Sequence, residues 1–267
     1  MIRRVNSGKS HYYIDTETEQ RIPGVTGYLD NGVPKPALIN WSASATAEYA
    51  VDHWDELADM APSERLRTLN RARYLAKDAA AKKGTKVHAL AERLVQGEKV
   101  DVPDELAGHV ASYVRFLDEF DVQPVLVERT VHSAQHNYCG TFDLVADIID
   151  PNDPEPEQRR WLLDIKTSRS GIFGETALQL AAYRYADVWI DEDEQAEYDM
   201  PEVEFTGGVH VRSDGYSLIP LETGPAQLRQ FLYVQQVAGF IQTSRDLVGP
   251  PLESPETSTY TLQRIES

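Results

Sequence analysis

Apolar and polar positions repeat with two different periods along the chain, and the change of period divides it. From residue 43 to residue 120 apolar side chains recur every three or four positions, as in SASATAEYAVDHWDEL and DELAGHVASYVRFLDEF, which is typical of amphipathic helices. After Asp121 the period is two in VLVERTV, TFDLVADII and WLLDIKT. Turn-like pieces separate these three segments, so the pattern predicts a three-stranded meander.

The rest of the chain predicts a helix, a hairpin and a last helix. Helical spacing returns at Glu175, and one apolar stripe then contains Leu178, Ala181, Ala182, Tyr185 and Trp189. The acidic segment DEDEQAEYDMPEVE predicts a surface loop. GGVHVRSDGYSLIPLE predicts a hairpin that turns at its SDG triplet, and PAQLRQFLYVQQVAGFIQ predicts a helix.

These elements predict one domain of mixed α/β (α+β) class, in which a largely helical N-terminal half packs against a central mixed sheet flanked by helices. Residues 1–42 combine strand-like pieces with turn signals and are expected to form an irregular arm. Residues 43–120 are the helical part, and residues 121–246 are the sheet and helices expected to carry the chemistry. Residues 247–267, rich in Pro, Ser, Thr and Glu, are expected to be a loose tail.

The composition limits which cellular compartment and which cysteine chemistry are expected. No apolar run approaches the roughly 18 residues that cross a bilayer, and no apolar stretch follows the two early arginines as in a secretory signal. A cytoplasmic protein with no membrane partner is therefore expected. Cys139, the single cysteine, cannot form an internal disulfide or supply the four thiolates of an iron-sulfur cluster.

The charge is distributed unevenly. The net charge is -17, yet the segment from residue 65 to residue 86 holds eight basic residues and one acidic residue. A basic strip on an acidic body is compatible with nucleic-acid binding, whereas the alternative is a solvated helix face. The candidate DNA-contacting residues in this strip are Arg65, Arg67, Arg71, Arg73, Lys82, Lys83 and Lys86.

Two acidic residues and a lysine on the predicted strands suggest a metal site. Side chains of a strand alternate between its faces, so Asp164 and Lys166 share a face while Ile165 points to the other. In the preceding strand, Asp143 belongs to the set formed by Thr141, Asp143, Val145 and Asp147. If the two strands are neighbours, Asp143 and Asp164 can converge on one cation, with the Ile165 carbonyl as a further ligand. Oxygen ligands suit one or two Mg²⁺ or Mn²⁺ ions.

Such a site has the groups that phosphodiester hydrolysis needs. A divalent cation neutralises the phosphate and lowers the pKa of bound water. Lys166 would supply further positive charge in the transition state, and neighbouring carboxylates would keep it protonated. The alternative is that Asp164 and Lys166 are merely an exposed ion pair.

Four helical residues and one strand residue could complete the site. Gln179 and Tyr183 lie four apart and therefore share a helix face, where they could orient water, Lys166 or a phosphate. His88 and Glu92 are also four apart, and His88 could be a nitrogen ligand, although a lone helical histidine is more often structural. Glu128 either supports the metal ligands or forms an ordinary ion pair.

In order along the chain, HALAE (88–92), GTFDLVA, LLDIKTS and QLAAY resemble the motifs of the PD-(D/E)XK nuclease superfamily. The resemblance covers about residues 80–190 and is strongest to the RecB-like branch, which includes phage recombination exonucleases and CRISPR-associated nucleases. VTGYLDNGVPKPALINW resembles the opening segment of phage members. The resemblance implies a restriction-endonuclease-like core, with His88, Asp143, Asp164 and the Ile165 carbonyl as metal ligands. It implies catalytic roles for Lys166, Gln179 and Tyr183.

Two features depart from this pattern: Asp164 stands where Glu is commoner, and the four cluster-binding cysteines of many RecB-like relatives are missing. The function implied is a metal-dependent exonuclease without an iron-sulfur cluster, acting on single- or double-stranded DNA ends in phage or bacterial recombination or repair. The alternatives are a structure-specific or flap endonuclease, and a catalytically silent DNA-binding or assembly protein. A single-strand annealing protein and further copies of the chain are the protein partners that the resemblance suggests.

Overall fold

The computed structural model of the protein describes residues 1–7, 10–152, 154–168 and 170–252. Of the segment expected to be a loose tail, residues 248–252 form no helix or strand. Residues 253–267 lie outside the described residues.

The N-terminal segment is more ordered than the expected irregular arm. It forms a three-stranded antiparallel sheet of β1 (Ile2–Ser7), β2 (Ser10–Asp15) and β3 (Arg21–Ile22). Ile2 and Tyr13 are buried against Cys139 and Ile190 of the main body. This docking stabilises the small sheet, whose third strand has only two residues.

The described residues form seven α-helices: α1 (Val25–Gly32), α2 (Pro36–Asp52), α3 (Trp54–Asp59), α4 (Pro62–Val95), α5 (Ala107–Glu119), α6 (Glu175–Arg184) and α7 (Pro225–Thr243). Single 3₁₀ turns cover Asp104–Leu106 and Ser244–Leu247. The 34 residues of α4 make a rod of about 50 Å. Among the described residues, no helix is both long and apolar enough to cross a membrane.

In the part of the chain that the structure describes, the central sheet has seven strands, β4 (Gln123–Ser133), β5 (Tyr138–Ile148), β6 (Arg159–Lys166), β7 (Val188–Asp191), β8 (Ala196–Asp199), β9 (Phe205–Arg212) and β10 (Gly215–Pro220). Their order is β10-β9-β6-β5-β4-β7-β8, and β6 with β9 is the parallel pair in an otherwise antiparallel sheet. The expected mixed α/β class, with a central mixed sheet flanked by helices, is confirmed. The meander is β4-β5-β6, the SDG hairpin is β9-β10, and the last helix is α7.

Apolar cores cover both faces of this sheet. Residues of α1, α6 and α7, among them Leu29, Leu180 and Phe231, form one core, and residues of α4 and α5 form the other. The sequence pattern placed Val145 on a polar strand face, but its side chain is fully buried beneath the first group of helices. Strand alternation alone does not reveal that a second layer of helices covers that face.

Two predicted elements between α6 and β9 are wrong. The helix ends at Arg184, so Trp189 belongs to β7 and not to the helical stripe. The acidic segment expected to be a loop contains β8, which pairs with β7 around a turn at residues 192–195. Pairing of β7 with β4, and the stack of Trp189 on Tyr198 with ring centroids 4.9 Å apart, hold this hairpin. Tertiary pairing thus overrides the helical spacing.

Candidate metal centre and active site

The site lies where β5 and β6 separate. Their ladder ends at the pair Leu144 and Leu163, so the next residues, Asp143 and Asp164, do not pair with each other. The side chain of Asp143 enters this gap, and its Oδ2 accepts a hydrogen bond from the Ile165 N–H at 2.6 Å. Since the N–H and C=O of a strand residue face the same neighbouring strand, the Ile165 carbonyl faces β5 as well.

Three potential metal ligands meet beside this gap. His88 from α4, Glu128 from β4 and Asp143 from β5 each offer one ligand atom, and these atoms lie within 4.8 Å of one another. His88 Nδ1 is 3.4 Å from Asp143 Oδ1. One imidazole nitrogen and two carboxylates suit Mn²⁺ or Mg²⁺, so the donor set fits the divalent cation expected from the sequence.

Glu128 reaches this group through an unusual backbone conformation. Its neighbours Val127 and Arg129 pair with β5, whereas Glu128 has no partner in the ladder and a φ of 48°. That is the left-handed region, which costs a residue with a side chain about 1 kcal/mol. Arg4 of β1 lies 3.6 Å from the Glu128 carboxylate. The N-terminal sheet therefore places the positively charged guanidinium of Arg4 at the edge of the site.

Lys166 is held on the other side of the gap. Its Nζ lies 2.7 Å from Asp164 Oδ2, which confirms that these two side chains share a strand face. Gln179 of α6 donates to Asp164 Oδ1 at 2.8 Å and to the Tyr183 hydroxyl at 3.3 Å. The predicted pair on α6 thus fixes the carboxylate that holds the lysine.

Gly140 explains how α6 comes so close to β5. A Cβ at this position would lie 2.1 Å from the Tyr183 ring, far inside van der Waals contact. Only glycine leaves room for the ring, which is buried over the strand. Gly140 precedes the TFD triplet in the sequence, and its role there depends on a contact that the sequence alone does not show.

The two aspartates respond differently to burial. Burial works to raise the pKa of Asp143, but His88 and Lys166 outweigh it and hold that pKa below its usual value. Burial also raises the pKa of Asp164, and with the charge of Asp143 it exceeds the opposing effect of Lys166. For Lys166, burial would lower the pKa, but the carboxylates of Asp164 and Asp143 raise it. The lysine therefore stays protonated at neutral pH.

The other two ligand candidates also have shifted pKa values. Burial would lower the pKa of His88, but the Asp143 carboxylate outweighs it and raises that pKa to about 9. Burial and the charge of Asp143 raise the pKa of Glu128 to about 7, against the effect of Arg4. Crowded carboxylates raise one another's pKa, and a divalent cation would remove that repulsion.

The ligand group differs from the expected one in two ways. The structure brings His88 and Asp143 together as expected, but the third ligand atom comes from Glu128. Asp164, expected as a ligand, contacts Lys166 and Gln179 and is not one of the three residues of this group, so its role as a ligand stays a prediction. Glu92 lines a cavity of about 400 Å³ that His88 and Glu128 also line, so it lies beside the ligand group without belonging to it.

The basic strip does not form one surface. Arg65 donates to the main-chain oxygens of Leu57, Ala58 and Met60 and so completes the end of α3. Lys86 forms an ion pair with Glu105 at 2.7 Å. The remaining candidates are exposed on different sides of α4: Arg67, Arg71, Arg73, Lys82 and Lys83.

In comparisons with known proteins, no family model and no curated protein matches the sequence. The resemblance to the PD-(D/E)XK superfamily therefore rests on the motif residues described above.

Proposed function

We propose that the chain is a Mg²⁺- or Mn²⁺-dependent deoxyribonuclease that shortens DNA from its ends, in phage or bacterial recombination or repair. One observation carries the nuclease proposal: a group of ligand atoms from His88, Glu128 and Asp143 lies next to a half-buried Lys166, whose pKa the carboxylates of Asp164 and Asp143 raise. The choice of DNA, of ends and of pathway comes from the resemblance of the motifs. The location in the cytoplasm is part of the same proposal.

His88, Glu128 and Asp143 would hold the cation, with the Ile165 carbonyl as a further oxygen ligand. When bound, the cation would neutralise the scissile phosphate and make water a better nucleophile at neutral pH. The chain's own groups then have separate tasks.

Lys166 can donate to the attacking water or to a phosphate oxygen, where negative charge grows in the transition state. Asp164 restrains the direction of the ammonium group, and Gln179 restrains Asp164. Tyr183 is buried and its hydroxyl meets the Gln179 amide, so its task is to position that amide.

The test is a cleavage assay on three substrates: single-stranded DNA and double-stranded DNA, each labelled at either end, and a covalently closed circular DNA. With Mg²⁺ or Mn²⁺ the linear substrates should be shortened from an end, and the closed circle should survive. EDTA and the Lys166→Ala variant should each prevent cleavage. A cut circle would instead show an endonuclease, and intact substrates with both metals would leave a catalytically silent DNA-binding or assembly protein.

A further inference from the structure

One stripe of α4 leads along the helix to His88. Positions three and four apart share a helix face, and this spacing connects Arg67, Asn70, Tyr74, Lys77, Ala81, Gly84 and His88. No stripe position holds an acidic residue, although the whole chain has a net charge of -17. The side chains from Arg67 to Lys77 on this stripe are exposed. Asp78 lies beside the stripe, about 100° around the helix from Lys77.

Tyr74 is the unusual member of the stripe. It is 55% exposed, and the guanidinium of Arg73 lies over its ring at 4.8 Å while donating to its hydroxyl at 3.0 Å. Arg73 thus restrains the ring from one side. A restrained, exposed aromatic ring next to cations is the combination on which unpaired nucleic-acid bases stack.

Between Lys77 and His88 the stripe carries only small residues. Lys77 precedes His88 by 11 residues, which is about 16 Å along the helix axis. The stripe positions between them are Ala81 and Gly84, and a Cβ on Gly84 would already lie 3.3 Å from the Thr167 hydroxyl at the end of β6. Small residues therefore occupy the stripe where α4 approaches Thr167, the residue after the strand that carries Lys166.

We propose that this stripe binds a single-stranded segment of the DNA substrate, with one base on Tyr74 and backbone phosphates on Lys77 and Arg67, and directs the strand to His88. The proposal rests on the proposed nuclease function. Arg67 and Lys77, with no acidic residue at any stripe position, complement a phosphate backbone, and Tyr74 specifies unpaired bases because a base inside a duplex already stacks on its neighbours. Lys82 and Lys83 lie about 100° and about 200° around the helix from the stripe position Ala81, so they are outside this path.

Binding is measured by the anisotropy of a labelled single strand and of the matching duplex, with Ca²⁺ replacing Mg²⁺ so that strands stay intact. The single strand should bind more tightly. Tyr74→Ala should weaken single-strand binding about tenfold, and Tyr74→Phe should retain it, because stacking one base contributes a factor of this order. Tyr233, an exposed tyrosine of α7 (65%), provides the matched control variant Tyr233→Ala.

Salt dependence tests the cations separately. Lys77→Ala should reduce the slope of log affinity against log salt concentration by about 0.7, the contribution of one contact to a single strand. Lys82→Ala should change it less. Equal slopes for these two variants, or equal affinities for Tyr74→Ala and Tyr233→Ala, would overturn the proposal.

Cleavage assays with Mg²⁺ distinguish this inference from the proposed function. If the wild-type protein cuts DNA and the stripe variants bind and cut as well as it does, the stripe proposal fails and the nuclease stands. If the wild-type protein binds a single strand through Tyr74 and Lys77 but cuts nothing, the stripe stands and the nuclease fails.

Discussion

Asp143 and Asp164 are neighbouring aspartates in the same gap between strands, yet their surroundings differ. Asp143 meets a histidine, a glutamate and a main-chain N–H. Asp164 is 3% exposed and meets a lysine and an amide. The pKa of the first is lowered, because His88 and Lys166 outweigh burial, and the pKa of the second is raised, because burial and Asp143 outweigh Lys166.

This difference separates the site into two parts. The group of His88, Glu128 and Asp143 brings one imidazole nitrogen and two carboxylates within 4.8 Å of one another, and it is the part suited to a cation. The group of Asp164, Lys166 and Gln179 is internally paired, and it is suited to holding one ammonium in place. The same residue type has two roles because its partners differ. Variants in each part should therefore fail in different ways.

Lys166→Ala should cause the largest loss. Removing one preorganised donor to the transition state lowers the rate about 100- to 1,000-fold, while the ligand group remains complete. We expect single-turnover cleavage of end-labelled DNA to fall by at least this factor and metal affinity to stay within about twofold of wild type, as for a substitution outside the ligand group.

Calorimetry with Mn²⁺ provides the control for the intact ligand group. If Lys166→Ala keeps more than about a tenth of the wild-type rate, this lysine has no role in the chemical step, because losing a transition-state contact lowers the rate by a larger factor.

Asp143→Asn and Asp164→Asn should differ in metal affinity. Asp143→Asn removes a charged ligand, so Mn²⁺ affinity should fall about tenfold or more. Asp164→Asn should reduce cleavage through the misplaced Lys166 and reduce Mn²⁺ affinity much less. Titration calorimetry on both variants tests this directly. Equal losses of affinity would mean that both aspartates bind the cation, as the sequence pattern suggested.

Much of the fold could be predicted from the sequence because its patterns are local. The period of two over β4, β5 and β6 gives the meander, and the SDG triplet gives the hairpin of β9 and β10. The small N-terminal sheet and the β7-β8 hairpin could not be predicted, because they are stabilised by distant parts of the chain: Cys139 packs against the N-terminal sheet, and β4 pairs with β7.

The candidate site divides in the same way. The pair Asp164 and Lys166 follows from strand alternation, since two residues on one strand two apart must share a face. Glu128 could not be ranked above an ordinary strand glutamate. Its place among the ligands depends on a left-handed backbone conformation, with a φ of 48°. A glycine or asparagine at this position would have indicated such a conformation, but a glutamate does not. It also depends on α4, which brings His88 to the sheet.

Glu128→Gln should have a smaller effect on metal affinity than Asp143→Asn. It tests further whether the ligand group acts separately from the group that holds Lys166. Mn²⁺ affinity should fall, because one ligand charge is lost. Without metal, however, the variant should melt about 2 to 4 °C above wild type, the shift that about 1 kcal/mol produces in a domain of this size. Scanning calorimetry with and without Mn²⁺ measures both effects, and an unchanged metal response would remove Glu128 from the ligand group.

The pH dependence of this stabilisation has a definite sign. Burial and Asp143 raise the pKa of Glu128 to about 7 in the folded protein, whereas an unfolded glutamate titrates at about 4.3. The folded state therefore binds this proton more tightly than the unfolded state does. The free energy of unfolding decreases as the pH rises from the pKa of the unfolded glutamate to that of the folded one. The difference in melting temperature between Glu128→Gln and wild type should vanish near a pH of about 4.3, the pKa of an unfolded glutamate. It should be largest above a pH of about 7.

His88→Ala should have the smallest effect on cleavage and the most selective one. His88 would contribute one nitrogen to a cation otherwise held by oxygen, and Mn²⁺ accepts nitrogen ligands more readily than Mg²⁺ does. Removing the ring should therefore lower activity with Mn²⁺ more than activity with Mg²⁺, so the ratio of the two rates falls. The ring also balances Asp143, at 3.4 Å from its carboxylate, so some loss of stability without metal is expected as well. Rates with each metal at saturation, measured beside the melting temperature, separate the two roles: a lower melting temperature with an unchanged ratio of rates would make His88 a structural partner of Asp143 and not a metal ligand.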